Sequence, residues 1–272
     1  VTITDYVIAK EAPPGWVKGI DARTGELRWV FRTVPRGDDF GAETWGNESW
    51  RYSGNTNVWS LMSGGDELGF AYLPIGTATN DYYGGHRLGH NLFAESLVAV
   101  DAETGQRQWH FQMVHHGLWD YDLPAAPNLL DITVGGRQVK AVAQVSKQGF
   151  VYAFDRVPGD PIWPIEERPV PASDLEGEKA WPTQPFPTKP PPLMRQKYTE
   201  ADASNISPQT HQLTLDRIKA SPNFGPFPAP SLKETVMFPG FDGGMEWGGG
   251  AADPDGIYYV NINEMPWLLQ MV

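Results

Sequence analysis

Short apolar runs along the chain end repeatedly in the same polar turn. The spacing Asp-x-x-x-Gly-x-x-x-Trp occurs at Asp21/Gly25/Trp29, Asp101/Gly105/Trp109 and Asp155/Gly159/Trp163. The second copy follows Leu97-Val98-Ala99-Val100 and the third Val151-Tyr152-Ala153-Phe154. Such a pattern predicts two strands joined by a tight turn. Asp accepts from the turn's own backbone, and Gly takes a left-handed conformation. Trp lays its face on the neighbouring sheet while its indole N–H finds an acceptor. One supersecondary unit in three copies predicts an all-β fold, a β-propeller of four-stranded W-type blades with about three to four blades in this chain.

With strands lettered A to D outward from the hub, the turns fit the B-to-C position. Apolar runs at 70–75, 139–145 and 257–260 then read as inner strands. Alternating strand direction opens Asp5, Trp59, Thr79, Asp120, Lys147 and Asn261 onto one mouth. Helical periodicity is scarce; Leu213, Leu215 and Ile218 predict a short helix over 212–219. The Pro-rich stretch 164–234 is too long for an ordinary loop. It reads as a surface excursion, with a lid, a subunit contact and disorder all open. The chain starts and stops near strand-like runs, and three or four blades leave a ring unclosed with bare strand edges. Residues 1–272 are therefore expected to be part of a larger propeller domain, with the missing blades of the same protein as partners.

Composition narrows the chemistry. The 33 Asp and Glu outnumber the 21 Lys and Arg, a formal net charge of −12, which argues against a nucleic-acid partner. The chain has no cysteine, which excludes disulfides and thiolate metal sites within it. The 29 Gly and 25 Pro fit turns rather than long helices.

The candidate chemistry gathers at the predicted mouth. Asp120 sits in His115-His116-Gly117-Leu118-Trp119-Asp120-Tyr121-Asp122-Leu123-Pro124. Desolvation beside Trp119 and Tyr121 would raise its pKa and suit a general base, whereas an ordinary loop Asp would bond backbone amides. Asp122 is the rival carboxylate and reads as a structural cap. Lys147 is either an exposed turn lysine or a fixed cation that polarises a carbonyl oxygen. Trp59 is either core or the floor under a flat ring. Glu246-Trp247-Gly248-Gly249-Gly250 permits close backbone approach. His115 and His116 have no third zinc ligand at a suitable spacing, so loop packing is the better reading. Asp5 and Thr79, with Asn80 and Asp81 as further candidates, offer hard oxygens that suit calcium or magnesium.

Together these residues resemble the pyrroloquinoline-quinone (PQQ)-dependent dehydrogenases, eight-bladed quinoproteins, in their glucose/quinate/shikimate branch. The similarity lies in the 115–124 stretch and in Phe238-Pro239-Gly240 followed by Glu246-Trp247-Gly248-Gly249. It implies an oxidoreductase that takes a hydride from a sugar or alcohol to PQQ, passes electrons to a quinone or other acceptor, and works in the periplasm, with any membrane anchor outside this segment. It makes Asp120 the proton acceptor, Lys147 the cation on the quinone oxygens and Trp59 the ring beneath the cofactor. Asn261 becomes a cofactor contact, as do Glu246 and Trp247 within the second motif. Asp5 and Thr79 become ligands of a calcium or magnesium ion, although Tyr6 stands where the sugar-oxidising relatives carry Asn. The segment alone is expected to be inactive. A non-catalytic propeller scaffold and a degenerate, ligand-binding quinoprotein are the alternatives.

Overall fold

The computed structural model describes residues 10–221 and 225–272. Its strands are β1 (Val17–Ile20), β2 (Leu27–Phe31), β3 (Ser63–Gly65), β4 (Phe70–Pro74), β5 (Ser96–Asp101), β6 (Arg107–Gln112), β7 (Asn128–Val134), β8 (Arg137–Val145), β9 (Val151–Asp155), β10 (Ile165–Pro169), β11 (Thr183–Pro187), β12 (Thr235–Met237), β13 (Gly250–Ala252), β14 (Tyr258–Val260) and β15 (Trp267–Leu269). The helix α1 spans Pro208–Ala220, longer than the apolar spacing predicts, because Ser207 caps it by accepting from Thr210 N at 3.1 Å. Pairing is antiparallel throughout, in sheets β1-β2, β3-β4-β5-β6, β7-β8-β9, β10-β11, β12-β15 and β13-β14. Among the described residues no sheet closes on itself.

Side-chain alternation stacks the sheets face to face. On β5, Leu97 and Ala99 enter a core shared with Val142, Tyr152 and Phe154 of the β7–β9 sheet. Val98 and Val100, on the opposite face, pack with Val17 and Phe31 of the β1-β2 sheet. On the far side of the β7–β9 sheet, Ala143, Val145 and Val151 meet Tyr258 and Val260 of β14. A strand apolar on both faces is thus covered on both, and each Leu or Val so buried contributes about 1.5–3 kcal/mol.

The repeated turns lock consecutive sheets together. Asp101 Oδ1 accepts from the amides of Glu103 and Thr104, and Gly105 has φ +72°. Trp29 donates from its indole to Ala102 O at 3.0 Å and lies so close over Gly105 that a Cβ there would fall 2.5 Å from the ring. Trp109 repeats the contact one sheet on, donating to Arg156 O at 3.1 Å and covering Gly159.

Counted along the chain, the Asp101 turn joins the third and fourth strands of its sheet, because β3 comes first. That strand, Ser63-Gly64-Gly65, lacks any hydrophobic alternation to betray it. The shift moves every letter by one, so connections predicted to share a face still share it.

The 164–234 stretch is ordered over its described residues. It holds the β10-β11 ladder and α1, and packs Phe186 and Phe227 against the core between the second and third sheets.

Candidate functional site

Three connections converge at one end of the sheets. The first follows β6. Its fully buried Trp119 and Tyr121 stack at 6.1 Å and donate to Pro228 O and Pro239 O, both at 2.7 Å. Between them Asp120 adopts φ +57°, a left-handed turn that Asp tolerates. The second connection is the turn after β8. Gly149, at φ +83°, donates to Ser146 O and closes the turn that carries Lys147. The third runs through Phe241–Trp247. Gly244 N donates to Lys147 O at 2.7 Å, and a Cβ on Gly243 would fall 2.5 Å from Lys147 Cγ. The paired glycines therefore let that backbone lie along the lysine stem.

Lys147 Nζ donates to Asp120 Oδ2 at 3.1 Å and to Asp122 Oδ2 at 3.2 Å, and sits 3.7 Å from Glu246 Oε1. Its ammonium is also 6.0 Å from the centre of the Trp59 ring. Asp122 performs its structural task as well: Oδ1 accepts from Thr77 N at 2.6 Å. Burial pulls the Lys147 ammonium down, but Asp122, Asp120 and Glu246 outweigh it and the ammonium is raised above its ordinary value. Asp120 lies well above the usual carboxylate range, first through burial and then through Asp122, with Lys147 opposing. Burial also raises Glu246. Three acids around one base leave a surplus of buried negative charge.

Beside this cluster, Trp59 and Trp247 are 43% and 78% exposed and line a cavity of about 310 Å³ with Pro124, Gly248 and Gly249. Asn261 is exposed and reaches the same place, since a Cβ on Gly248 would fall 2.8 Å from its Oδ1.

Thr79 is buried, and its carbonyl accepts from Arg87 Nε at 2.9 Å. Its neighbour Asn80 has a buried Oδ1 without a hydrogen-bond partner, as does Glu95 Oε2. Asp81 is buried close enough to raise Asp120 further. Asp5 and Tyr6 lie outside the described residues.

The histidines pack the loop. His115 meets Gln112 Oε1 at 3.0 Å and Glu167 Oε1 at 3.1 Å, and His116 meets Gly89 O and Glu178 Oε1. Among the described residues no group of three or more His, Cys, Asp or Glu could hold a metal by itself. Sequence reasoning missed Arg87, Glu95 and Glu178. Arg87 and Glu95 stand in a stretch without periodicity, and Glu178 lies among prolines with its partner 62 residues away.

The family model for the PQQ-type glucose/ethanol/alcohol dehydrogenase β-propeller domain matches residues 2–272. The glycerol dehydrogenase large subunit of Gluconobacter oxydans is 35% identical over 266 residues, which cover 96% of this chain and 35% of that protein. The quinate/shikimate dehydrogenase (quinone) of Acinetobacter baylyi is 33% identical, over 97% of this chain and 33% of its own length. For the quinoprotein glucose dehydrogenase of Escherichia coli the identity is 33%, over 100% and 34%. The chain thus spans about a third of the length of these relatives. Among solved structures, the quinohemoprotein alcohol dehydrogenase ADH-IIG of Pseudomonas putida superposes with a TM-score of 0.66 at 24% identity, covering 95% of this chain and 34% of that one. A europium-containing methanol dehydrogenase gives 0.64 at 20%, over 93% and 41%. The sheet order, the interlocking turns and the match over nearly the whole chain lead to one conclusion: this chain belongs to the PQQ-dependent glucose/ethanol/alcohol dehydrogenase β-propeller family.

Proposed function

We propose that this chain is part of a periplasmic PQQ-dependent dehydrogenase that oxidises a hydroxyl group of a sugar or alcohol. The observation that carries the reading is Lys147 within 3.1 Å of Asp120, across 27 residues, with its ammonium 6.0 Å from the centre of the Trp59 ring that lines an aromatic cavity. PQQ, held together with calcium or magnesium, would supply the electrophilic carbonyl chemistry that accepts a hydride.

The chain's own residues would do the rest. Asp120, ionised, accepts the substrate hydroxyl proton at a carboxylate oxygen. Lys147 keeps a positive charge beside the slot and stabilises negative charge developing on a carbonyl oxygen. Trp59 gives a flat apolar surface, Trp247 and Gly248 border the slot, and Asn261 brings an amide to its rim. Glu246 holds the third acidic corner around Lys147. The donor set fits a hard divalent ion. Carboxylates exceed cations, and Asn80 Oδ1 is a buried oxygen without a partner. Thr79 and, outside the described residues, Asp5 are the further donors. Lys147 is already shared by three carboxylates, which favours a neutral hydroxylic substrate over one bearing its own carboxylate.

The test is dye-linked oxidation of glucose, glycerol and ethanol by the full-length protein supplied with PQQ and calcium. Quinone-dependent turnover is expected, and Asp120→Asn should lower it roughly 10²–10⁴-fold with quinone still bound. Quinone binding without turnover on any hydroxylic substrate would favour the degenerate protein, and no quinone binding the scaffold.

A further inference from the structure

Glu178 belongs to the Pro-rich stretch, yet its side chain and that of His116 are completely buried against each other. Glu178 Oε1 accepts from His116 Nε2 at 2.7 Å and from its neighbour Lys179 N at 2.8 Å. Its other oxygen accepts from Gly84 N. The far side of the imidazole, Nδ1, faces Gly89 O at 2.9 Å. Both ring nitrogens thus lie within hydrogen-bond distance of a fixed oxygen, which sets the plane of the imidazole. Burial disfavours the Glu178 charge, but the His116 bond, the Gly84 amide and Arg87 outweigh it and hold the carboxyl below its ordinary value.

One carboxylate thereby ties together three segments: the connection that leaves Thr79, the Asp120 loop and the excursion. The ring has no room to shift, since a Cβ at Gly84 would fall 2.7 Å from His116 Nε2. His116 has φ +48° and Asp120 φ +57°, so the loop enters the left-handed region twice within five residues. Between them, Gly117 O is held by Arg87 at 2.7 Å. Just before them, Gln184 of β11 grips both backbone atoms of His115, at 2.9 and 2.8 Å. The excursion is thus built as a brace for this loop.

We infer that Glu178 is a positioning residue for Asp120: through His116 it fixes the left-handed turn that presents the Asp120 carboxylate beside Lys147. This rests on the reading of Asp120 as the proton acceptor. Neither Glu178 nor His116 takes part in the proton transfer; they set where its acceptor stands.

The test uses the full-length protein with PQQ and calcium, and the variants Glu178→Gln and Glu178→Asp. In Glu178→Gln, kcat should fall roughly 10- to 100-fold, the loss that follows small misplacement of a reacting group. KM and quinone affinity, read by quenching of tryptophan emission, should stay unchanged. Glu178→Asp, which keeps the charge, should recover part of kcat. Amide hydrogen exchange should speed up at 115–122 in Glu178→Gln and stay unchanged at 146–150. Wild-type kcat in Glu178→Gln, or unaltered exchange at 115–122, would overturn the inference. Failure of both variants to fold would also overturn it, since the pair would then serve folding alone. Absence of quinone-dependent turnover in the wild type would sink the dehydrogenase reading instead, and the exchange measurement would still decide whether Glu178 orders the loop.

Discussion

Arg87 and Lys147 are both buried with acids nearby, but their hydrogen-bond partners differ in kind. Arg87 Nε donates to Thr79 O, Nη1 to Asn91 Oδ1, and Nη2 to Asn80 O and Gly117 O. These are neutral acceptors fixed by the backbone or by Asn91, which returns a bond to Arg87 O at 2.6 Å. Lys147 instead faces Asp120, Asp122 and Glu246, more negative charge than one ammonium balances. Arg87 is a strut, bonded through all three of its nitrogens to neutral acceptors. Lys147 sits in an unbalanced electrostatic field beside an open cavity, the condition a binding site needs and a strut avoids.

Breaking each cation should expose the difference. Arg87→Met takes the guanidinium donor from the Asn80 and Gly117 carbonyls and should cost about 3–5 kcal/mol of unfolding free energy, read by urea melts of the full-length protein. A loss no larger than that of a surface substitution would contradict the strut. Lys147→Met should behave differently, with a loss that grows as pH rises. Asp120 and Glu246 are raised in the fold, so the native state holds protons that the unfolded chain has released. Stability is then present below the ordinary carboxylate range and lost as pH climbs through the folded values. A pH-independent loss would mean that these acids do not share the lysine.

A smaller effect separates scaffold from site. Trp109→Phe removes the indole donor to Arg156 O and should cost about 1–2 kcal/mol while leaving quinone affinity unchanged. A change in quinone affinity would mean that the turn lock reaches the site. The smallest effect is a drift in stability. Burial lowers both His86 and His110 from 6.5 to about 4, helped by Arg87 and Arg107 respectively. The unfolded chain therefore binds more protons at these two rings, and acidification from pH 6.5 towards 4 should cost the wild type more stability than it costs the His86→Gln/His110→Gln variant, read by urea melts. An equal effect of acidification on both proteins would contradict the neutral, buried state of these rings.

What could be read from the sequence was what repeats locally. The Asp101 turn, Gly105 and the Trp29 contact follow from spacing and side-chain type alone. The meeting of Asp120, Lys147 and Trp59 followed from strand direction, even with the letters shifted by one. Glu178, Gln184 and Arg87 stayed hidden because each acts through contacts that no local period announces: Glu178 lies 62 residues from His116 and Gln184 69 from His115. The direct ion pair between Lys147 and Asp120 was equally hidden, since spacing placed each at the mouth but not against the other.

The central claim, that Asp120 and Lys147 act on one bound ligand, is tested most directly by a double-mutant cycle on quinone-dependent turnover of the full-length protein. Asp120→Asn, Lys147→Met and the double variant would be compared with the wild type. Groups that serve one transition state are strongly non-additive, so the double variant should be scarcely slower than the worse single variant. Losses that simply multiply would show two independent residues and contradict the account.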